Sequence, residues 1–391
     1  MDKTSAAFKV GTTTIASKVF HYLICLSGLV LAAPLLLLIR FAIATPITIS
    51  GAGYLIGYSL AVAGMIMIPL WRKVPLLMIL NGVTVIILIA CLRIVLAKNA
   101  EADSNLTMIL LPQGKETRWI NYLIDEQDSI LFGEAALLRL GGVWPHEQEN
   151  IVHSLYTGYS ELKTTQSVFP SPFVSTYLNF QKATSFDTIV IDPEREQSLK
   201  FGIVFLHGYM GNVTIQCWRI AQAVQQLGAI TVCPSTDWTG EWWEPQGQAM
   251  VRATFRYLHE RGIQTIYLGG FSNGSIGTSR LAPTLANEDG SLRGLILIAG
   301  VINPTDIRQT GLPVLLIQGS EDQRMPATLA REFVAEVGGS ATYVEIQSDH
   351  FLIMKEPVLV QKAITTWLEA HASDNKPSGQ NWSTCFPVST C

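Results

Sequence analysis

The sequence is poor in charged residues and lacks the short motifs that hold metals or nucleotides. Charged residues make up only 15% of the 391 residues, the formal net charge is −4 and the pI is about 6.0. Such a chain has no basic footprint for nucleic acid. It contains no HExxH or CxxC spacing and no GxxxxGK[ST] loop. We therefore expect no bound metal, no other cofactor and no nucleotide hydrolysis.

Cysteine is also scarce, with six in the whole chain. Four of them lie in membrane or core segments, where buried free thiols are ordinary: Cys25, Cys91, Cys217 and Cys233. Cys385 and Cys391 instead enclose a short polar segment at the end of the sequence. We predict a disulfide between these two, which would persist only in an oxidising compartment. The alternative is two free thiols on a disordered tail.

Apolar runs, by contrast, dominate the first hundred residues. Three of them, at about 20–39, 52–70 and 75–96, are close to the roughly 20 residues that cross a bilayer. We predict three membrane-spanning helices. One alternative makes the first run a signal peptide, cleaved at Ala42-Ile43-Ala44. Another treats the runs as buried helices of a soluble protein, which their lack of a polar face disfavours.

The basic residues around these runs predict their orientation. Short basic loops stay in the cytoplasm, which places there the hinge and the N-terminal segment that carry Arg72, Lys73, Lys3, Lys9 and Lys18. A weaker opposing signal comes from helix ends, where long side chains snorkel: Arg40, Arg93 and Lys98. With three spans, or two after a signal peptide, the rest of the chain emerges outside the cytoplasm.

A G-x-S-x-G pattern, Gly270 to Gly274 with Ser272 at its centre, lies between an apolar run and a predicted helix. This context is typical of a nucleophile elbow, a tight turn whose strained backbone exposes the serine hydroxyl above a sheet. Glycines flank the serine because a side chain there would collide with the neighbouring strand and helix. The pattern alone is weak, since glycine and serine are common in loops.

Other motifs follow predicted strands in the order that such an elbow requires. The apolar run 202–206 ends in the turn 207–212, His-Gly-Tyr-Met-Gly-Asn. The run 313–319 ends near Asp322, and the run 343–346 is followed by His350. The order Ser, Asp, His is that of an α/β-hydrolase and differs from that of chymotrypsin.

Together these motifs resemble the α/β-hydrolase superfamily over about residues 170–371. The resemblance implies a mostly parallel sheet flanked by helices, here preceded by a three-helix transmembrane segment. It also implies Ser272 as the nucleophile, His350 as the general base and Asp322 as the orienting carboxylate. The backbone N–H groups of Tyr209 and Asn273 are the implied oxyanion-hole donors.

Each of these residues has a competing interpretation. Ser272 could be a turn serine, Asp322 a helix cap and His350 a loop histidine. Glu321 adjoins Asp322 at the same strand end, and the shape Gly-x-x-Asp-x-x-x-Pro favours Asp322. Asp349 is disfavoured because a carboxylate next in sequence to the base points away from its ring. His207 is interpreted as a structural brace of its turn.

The surroundings of the predicted site are less defined. Trp238, Trp242 and Trp243 follow the strand that ends near Cys233, and they either line an acyl or aromatic pocket or pack the loop onto the sheet. Only a short segment separates the predicted strand 294–300 from the strand that precedes Asp322. A large lid is therefore not expected there.

The predicted organisation has four parts. Residues 1–97 form the transmembrane region, 98–170 a linker or extension packing on the hydrolase, 171–371 the hydrolase domain and 372–391 a tail. Within the extension we predict helices at 130–140 and 147–162. The alternating segments 177–181 and 188–191 predict the antiparallel strands that open the sheet.

The sequence thus predicts a membrane-anchored serine hydrolase, with a carboxylic ester hydrolase acting on a small-molecule or lipid ester as the leading interpretation. A serine peptidase of the same fold is one alternative. A non-catalytic membrane protein that keeps the fold as a binding module is another. Nothing in the sequence indicates an oligomeric state.

Overall fold

The computed structural model describes residues 4–69, 73–140, 150–194 and 199–372. Within these ranges it describes every side chain except those of residues 4–16, 103, 134–140 and 372. The predicted disulfide partners Cys385 and Cys391 lie outside the described residues, as do Trp71 and Arg72 of the predicted hinge.

Three long helices open the structure: α1 (Thr4–Ala44), α2 (Ile49–Met67) and α3 (Lys73–Asp103). By length and composition, Ser17–Ala44, Ile49–Met67 and Lys73–Ala102 could each cross a membrane. All three predicted helices are present; α1 and α3 extend beyond the predicted bounds at both ends, whereas α2 begins three residues earlier and ends three residues earlier than 52–70. Their large apolar side chains are widely exposed, for example Val30 at 67% and Leu88 at 62%. A water-soluble bundle would bury such residues, so their exposure disfavours the soluble interpretation.

Small residues let the three helices approach one another closely. A Cβ added at Gly57 of α2 would lie 2.8 Å from the carbonyl oxygen of Gly82 in α3, and one at Gly64 would lie 2.6 Å from that of Pro75. Packing through glycine is typical of membrane helices, because lipid provides no hydrophobic force to drive them together.

The remaining elements follow in chain order. The described strands are β1 (Leu106–Leu111), β2 (Lys115–Glu116), β3 (Phe186–Ile191), β4 (Phe201–Leu206), β5 (Ala229–Pro234), β6 (Ile266–Phe271), β7 (Leu292–Ile298), β8 (Val314–Gly319) and β9 (Ala341–Ile346). The described helices after α3 are α4 (Glu126–Leu140), α5 (Ile151–Thr165), α6 (Phe173–Tyr177), α7 (Thr214–Val224), α8 (Pro245–Glu260), α9 (Asn273–Glu288), α10 (Pro304–Thr310), α11 (Ala327–Val337), α12 (Leu352–Lys355) and α13 (Pro357–Ala372).

The described strands form one sheet in the order β2-β1-β3-β5-β4-β6-β7-β8-β9. The first three pairings are antiparallel, and all pairings from β5 to β9 are parallel. Strands β3 to β6 and β8 are buried along their whole length, because helices cover both faces of the sheet. This is the α/β-hydrolase fold.

Successive side chains of each strand enter two separate cores, as expected for a period of two. In β4, Ile203 and Phe205 join the core beneath α4, α5, α7 and α13. Val204 and Leu206 join the core beneath α8, α9 and α11 on the other face. The apolar run that was predicted as a buried strand therefore contributes side chains to the cores on both faces of the sheet.

The extension contributes to the sheet itself. Strand β1 pairs along its full length with β3, from Leu106 opposite Ile191 to Leu111 opposite Phe186. The predicted strand at 177–181 is wrong: Tyr177 ends α6, and Asn179 has a left-handed φ of 59°. The cause is Gln181, whose side chain bonds both the backbone N–H and the carboxylate of Asp187 in β3 and so folds the segment into a turn.

Buried polar contacts join the long apolar helices to the extension. Arg93 of α3 is only 5% exposed, and its guanidinium bonds Asp125, the carbonyl of Tyr122 and the hydroxyl of Ser50. Lys163 of α5 completes the neutralisation of Asp125 at 3.0 Å. The position of Arg93 near a helix end predicted a side chain that snorkels. The structure shows instead that the side chain is buried in these polar contacts. A buried carboxylate offers it a better partner than the headgroup region.

The structure also corrects the expectation for two cysteines. Cys217 of α7 and Cys233 of β5 form a disulfide, with their Cα atoms 6.1 Å apart. Sequence analysis took them for free buried thiols, since their helix and strand are 16 residues apart in sequence and their proximity depends on the fold. Cys25 and Cys91 are free.

Candidate active site

The parallel strands bring the predicted residues to one edge of the sheet. Strand register sets the end of β4 beside the end of β6, with Leu206 opposite Gly270, and the end of β8 beside that of β9, with Gly319 opposite Ile346. The segments that leave these four strands carry Tyr209, Ser272, Asp322 and His350. Carboxyl ends of parallel strands are the usual position of a site in open α/β sheets.

Ser272 occupies the turn between β6 and α9 with φ 54° and ψ −120°. Its N–H donates to the carbonyl of Ile298, and its own carbonyl accepts from Ile276 in the first turn of α9. A Cβ at Gly274 would collide with the carbonyl of Leu206, and one at Gly270 with the backbone of Gly274. The two glycines are therefore what allows the strand to turn this sharply into the helix.

A continuous chain of hydrogen bonds links three of the predicted residues. The distance from Ser272 Oγ to His350 Nε2 is 2.9 Å, and that from His350 Nδ1 to Asp322 Oδ2 is 2.8 Å. The imidazole and the carboxylate are nearly buried, while Ser272 is half-buried. The His350 ring also packs against Phe271 and Phe351, with centroids 5.2 and 5.7 Å apart. These contacts fix the orientation of the imidazole.

The Asp322 carboxylate is held by backbone and side-chain donors. Its Oδ1 accepts the N–H groups of Arg324 and Met325, each at 2.9 Å, and its Oδ2 accepts Gln318 Nε2 at 3.0 Å. Gln318 is a residue that sequence analysis missed. The feature of the sequence that could have identified it is a polar side chain near the end of an otherwise apolar strand.

The two competing carboxylates stand elsewhere. Glu321 is exposed and makes no contact with His350 among the residues that the structure describes. The Asp349 carboxylate pairs with Lys355 Nζ at 2.6 Å and accepts the N–H of Phe351. Geometry therefore gives the imidazole one carboxylate partner, Asp322.

The turn after β4 passes directly over Ser272. A Cβ at Gly208 would lie 3.0 Å from the Cβ of Ser272. Next to it are the two predicted oxyanion-hole donors, the backbone N–H groups of Tyr209 and Asn273. Within the described ranges, neither N–H donates to another protein group. Asn273 also begins α9, so its N–H lies at the positive end of the helix dipole.

His207 braces this turn. Its Nε2 accepts the N–H of Thr236 at 3.2 Å, and its Nδ1 lies 2.8 Å from the carbonyl of Gly208. An imidazole that accepts at Nε2 is neutral and carries its proton on Nδ1. Burial accordingly lowers the pKa of His207 from 6.5 to about 4. The Met210 N–H, donating to Trp238 at 2.7 Å, adds a second tie between the turn and the loop after β5.

The three tryptophans do not form a common pocket. Trp242 is completely buried, donates its Nε1–H to the His207 carbonyl and packs edge-on against the His207 ring. The Trp243 ring lies beneath the guanidinium of Arg280. Trp238 lies on the exposed side of the turn, with its ring 5.0 Å from that of Tyr209. The pocket prediction is therefore wrong for Trp242, whose ring fills the space left by Gly277.

Glu126 of α4 is a second residue that sequence analysis missed. It is 1% exposed, and its carboxylate accepts from the backbone N–H groups of Thr214 and Ile215 at the start of α7. The hydroxyls of Tyr159, Ser171 and Thr214 donate to it as well. Burial raises the pKa of Glu126, and these donors oppose that rise. Glu126 thus anchors the far end of the turn that passes over Ser272.

A separate cleft of about 540 Å³ lies at the opposite edge of the sheet, lined by His259, Gln264, Asp289, Gly290, Ser291 and Arg293. These residues precede strands β6 and β7 or lie beside them. The cleft therefore has no contact with Ser272.

Solved structures with a similar fold are α/β-hydrolases that align with about half of the chain. Est1E from Butyrivibrio proteoclasticus is 14% identical with a TM-score of 0.42, covering 49% of this chain and 96% of its own. XC6422 from Xanthomonas campestris, an α/β serine hydrolase without a lid, is 18% identical with a TM-score of 0.39, covering 50% and 94%. The esterase domain of a Rhodothermus marinus protein is 14% identical with a TM-score of 0.39, covering 48% and 94%. No family model matches the sequence, and no curated protein matches it.

Proposed function

We propose that this chain is a membrane-anchored serine hydrolase that cleaves carboxylic esters. The observation that carries the proposal is the hydrogen-bonded series Ser272, His350 and Asp322, with Ser272 held at a positive φ at the start of a helix. A buried carboxylate, an imidazole and a half-exposed hydroxyl in this order are what general-base activation of a serine requires.

The first step follows from these contacts. As Ser272 Oγ attacks the ester carbonyl carbon, His350 Nε2 takes the hydroxyl proton, and Asp322 stabilises the imidazolium through Nδ1. The carbonyl oxygen gains negative charge, for which the N–H groups of Tyr209 and Asn273 are the proposed donors. The C–O bond to the alcohol then breaks, and His350 returns the proton to the leaving oxygen.

Water completes the cycle by the same route. His350 removes a proton from a water molecule that attacks the acyl-Ser272 ester. The second tetrahedral intermediate collapses to release the acid, and Ser272 recovers its proton. The chain's own residues thus account for every proton transferred.

We infer that the hydrolase part lies outside the cytoplasm. The disulfide between Cys217 and Cys233 supports this side, since such bonds persist in oxidising compartments. The basic residues that flank the spans support the same orientation.

The proposed activity is tested with a fluorophosphonate probe on the full chain in detergent. Parent protein should become labelled and should hydrolyse aryl esters. Ser272→Ala should lose the label, and both Ser272→Ala and His350→Ala should lose turnover by about a millionfold. Ester hydrolysis by Ser272→Ala at the parent rate would refute the assignment. A peptide anilide and esters of graded chain length then separate peptidase from esterase activity.

A further inference from the structure

Exposed apolar side chains lie on the turn that passes over Ser272 and in two segments that contact this turn. Tyr209 is 54% exposed and Trp238 42%, and their rings are in edge-on contact. The hydroxyl of Tyr177, itself 43% exposed, donates to the carbonyl of Met210 at 3.2 Å. The next exposed apolar side chains along the chain are Leu178 at 55% and Phe180 at 44%. We call these five residues the apolar rim.

The rim lies one helix away from the membrane spans. The Phe132 ring of α4 packs edge-on against Phe41 near the end of α1, with centroids 4.5 Å apart. The next residue, Gly133, lies beside the turn: a Cβ there would lie 3.9 Å from the Met210 methyl group. Helix α4 therefore contacts a membrane helix and the turn over Ser272 within two successive residues.

Helix α4 is fixed in this position by the loop between the first two spans. Asp128 accepts both the N–H and the hydroxyl of Thr48, which caps α2. Tyr54 of α2 donates its hydroxyl to the carbonyl of Leu123, just before α4. With the buried Arg93–Asp125 pair, these contacts hold the hydrolase against the ends of the spans. The rim consequently has a fixed height above the bilayer.

Such a rim is unusual for a surface facing only water. Contiguous exposed apolar patches mark interaction sites, and aromatic residues with polar tips favour the interface between lipid and water. Because only α4 lies between the rim and the spans, the bilayer is the apolar partner that the rim can reach. Contact with lipid would also spare an acyl chain the passage through water, whose cost rises with every CH₂.

We propose that the substrate is a long-chain carboxylic ester in the enzyme's own bilayer, and that this ester reaches Ser272 across the apolar rim. This inference rests on the proposed function. The acyl group transfers to Ser272 Oγ as the ester C–O bond breaks, and the alcohol leaves with the proton from His350. Water then yields the long-chain acid, which returns to the bilayer.

The test uses the full chain reconstituted in phosphatidylcholine vesicles. A fluorogenic oleoyl ester is placed either in the same vesicles as the enzyme or in separate vesicles, and a soluble acetyl ester of the same alcohol is the reference. We expect hydrolysis of the oleoyl ester to be at least about tenfold faster in the shared bilayer, because confinement raises its effective concentration. Equal rates in shared and separate vesicles would overturn the inference.

A pair of variants then tests the rim. Leu178→Glu puts a charge on the rim. Leu329→Glu puts the same charge at a similarly exposed site, 47%, on α11 beyond the other face of the sheet. We expect the ratio of oleoyl to acetyl hydrolysis to fall about tenfold for Leu178→Glu, since charge opposes insertion at the interface. Leu329→Glu should keep the parent ratio.

The outcomes separate this inference from the proposed function. Acetyl hydrolysis that depends on Ser272, without any advantage for the oleoyl ester in the shared bilayer, leaves the proposed function standing and removes the inference. Absence of Ser272-dependent hydrolysis of both esters removes both. The comparison of shared with separate vesicles needs no variant, so poor folding of Leu178→Glu does not prevent the test.

Discussion

At the scale of single residues, the two backbone N–H groups that bond Asp322 would fix the orientation of the side-chain amide in Asp322→Asn. In Asp322→Asn, the N–H groups of Arg324 and Met325 require the amide oxygen at Oδ1, which leaves the NH₂ group facing His350. Nδ1 must then accept, and the imidazole proton moves to Nε2, which can no longer take the proton of Ser272. We expect kcat on an aryl ester to fall about 10⁴-fold.

Glu321→Gln is the matched control for that substitution, because Glu321 is the exposed neighbour of the buried Asp322. It should retain the parent kcat. A fully active Asp322→Asn enzyme beside an inactive Glu321→Gln enzyme would transfer the role to Glu321.

His207 predicts a dependence of stability on pH. Burial lowers its pKa from 6.5 to about 4, so the folded protein keeps it neutral while the unfolded chain takes up a proton as pH falls below 6.5. The contribution of neutral His207 to the free energy of unfolding is therefore complete above pH 6.5 and is lost as the pH falls toward 4. The loss over that window amounts to about 3 kcal/mol. Melting temperatures from pH 7 to 4.5 should fall more steeply for the parent than for His207→Gln. Parallel profiles would show that His207 carries none of this dependence.

The residues in direct contact with Ser272 were identifiable in the sequence, and their supporting residues were not. Ser272, Asp322 and His350 each follow a predicted strand, so topology alone brings them to one edge. Gln318 bonds Asp322 four residues further along, and Glu126 caps a helix that begins 88 residues away. No local pattern encodes either contact. Of the two roles that the sequence leaves open for Trp242, the structure shows loop packing, because the loop that carries it turns inward beneath α9, which composition does not reveal.

At the scale of elements, α4 bears on the site through the cap that Glu126 provides to α7. Glu126→Ala would leave two backbone N–H groups and three hydroxyls without this acceptor in a buried space. We expect a loss of about 3 kcal/mol in the free energy of unfolding, measured by denaturant titration in detergent.

Glu288→Ala removes a carboxylate from an exposed pair with Arg252 and serves as the control, with little expected change. Equal losses in the two variants would mean that the α4 contact contributes no more than a surface pair.

Elements with strong periodicity or length were predicted well, and short ones were not. The parallel strands are recognisable in the sequence as short apolar runs between turns. The apolar runs of the first three helices are recognisable because they are longer than a strand of a soluble protein. Strand β1 begins two residues after α3, and its place beside β3 depends on the fold and not on a local pattern. The segment 177–181 alternates like a strand, yet a buried carboxylate at Asp187 binds Gln181 and turns it.

At the scale of the whole molecule, the disulfide and the spans make a joint prediction about sidedness. Because Cys217 and Cys233 are buried, the protein is denatured before alkylation; a maleimide should then leave both unmodified until a reductant is added. On intact spheroplasts, external protease should cleave the hydrolase part and spare the 71–74 hinge. The proposed Cys385–Cys391 bond should resist alkylation in the same way.

Permeabilised spheroplasts provide the control, since protease then reaches both sides. A hydrolase part protected until permeabilisation, together with free alkylation of Cys217 and Cys233, would place the enzyme in the cytoplasm and redirect the search to cytoplasmic substrates.

The direct passage from α3 into β1 has one more consequence. Only Ser104 and Asn105 separate the membrane helix from a strand paired along its length with β3. There is no stalk for a protease to cut, and release by cleavage would tear a strand from the sheet. For a hydrolase anchored as proposed, we therefore expect cleavage at this junction to destroy activity and not to release an active soluble form.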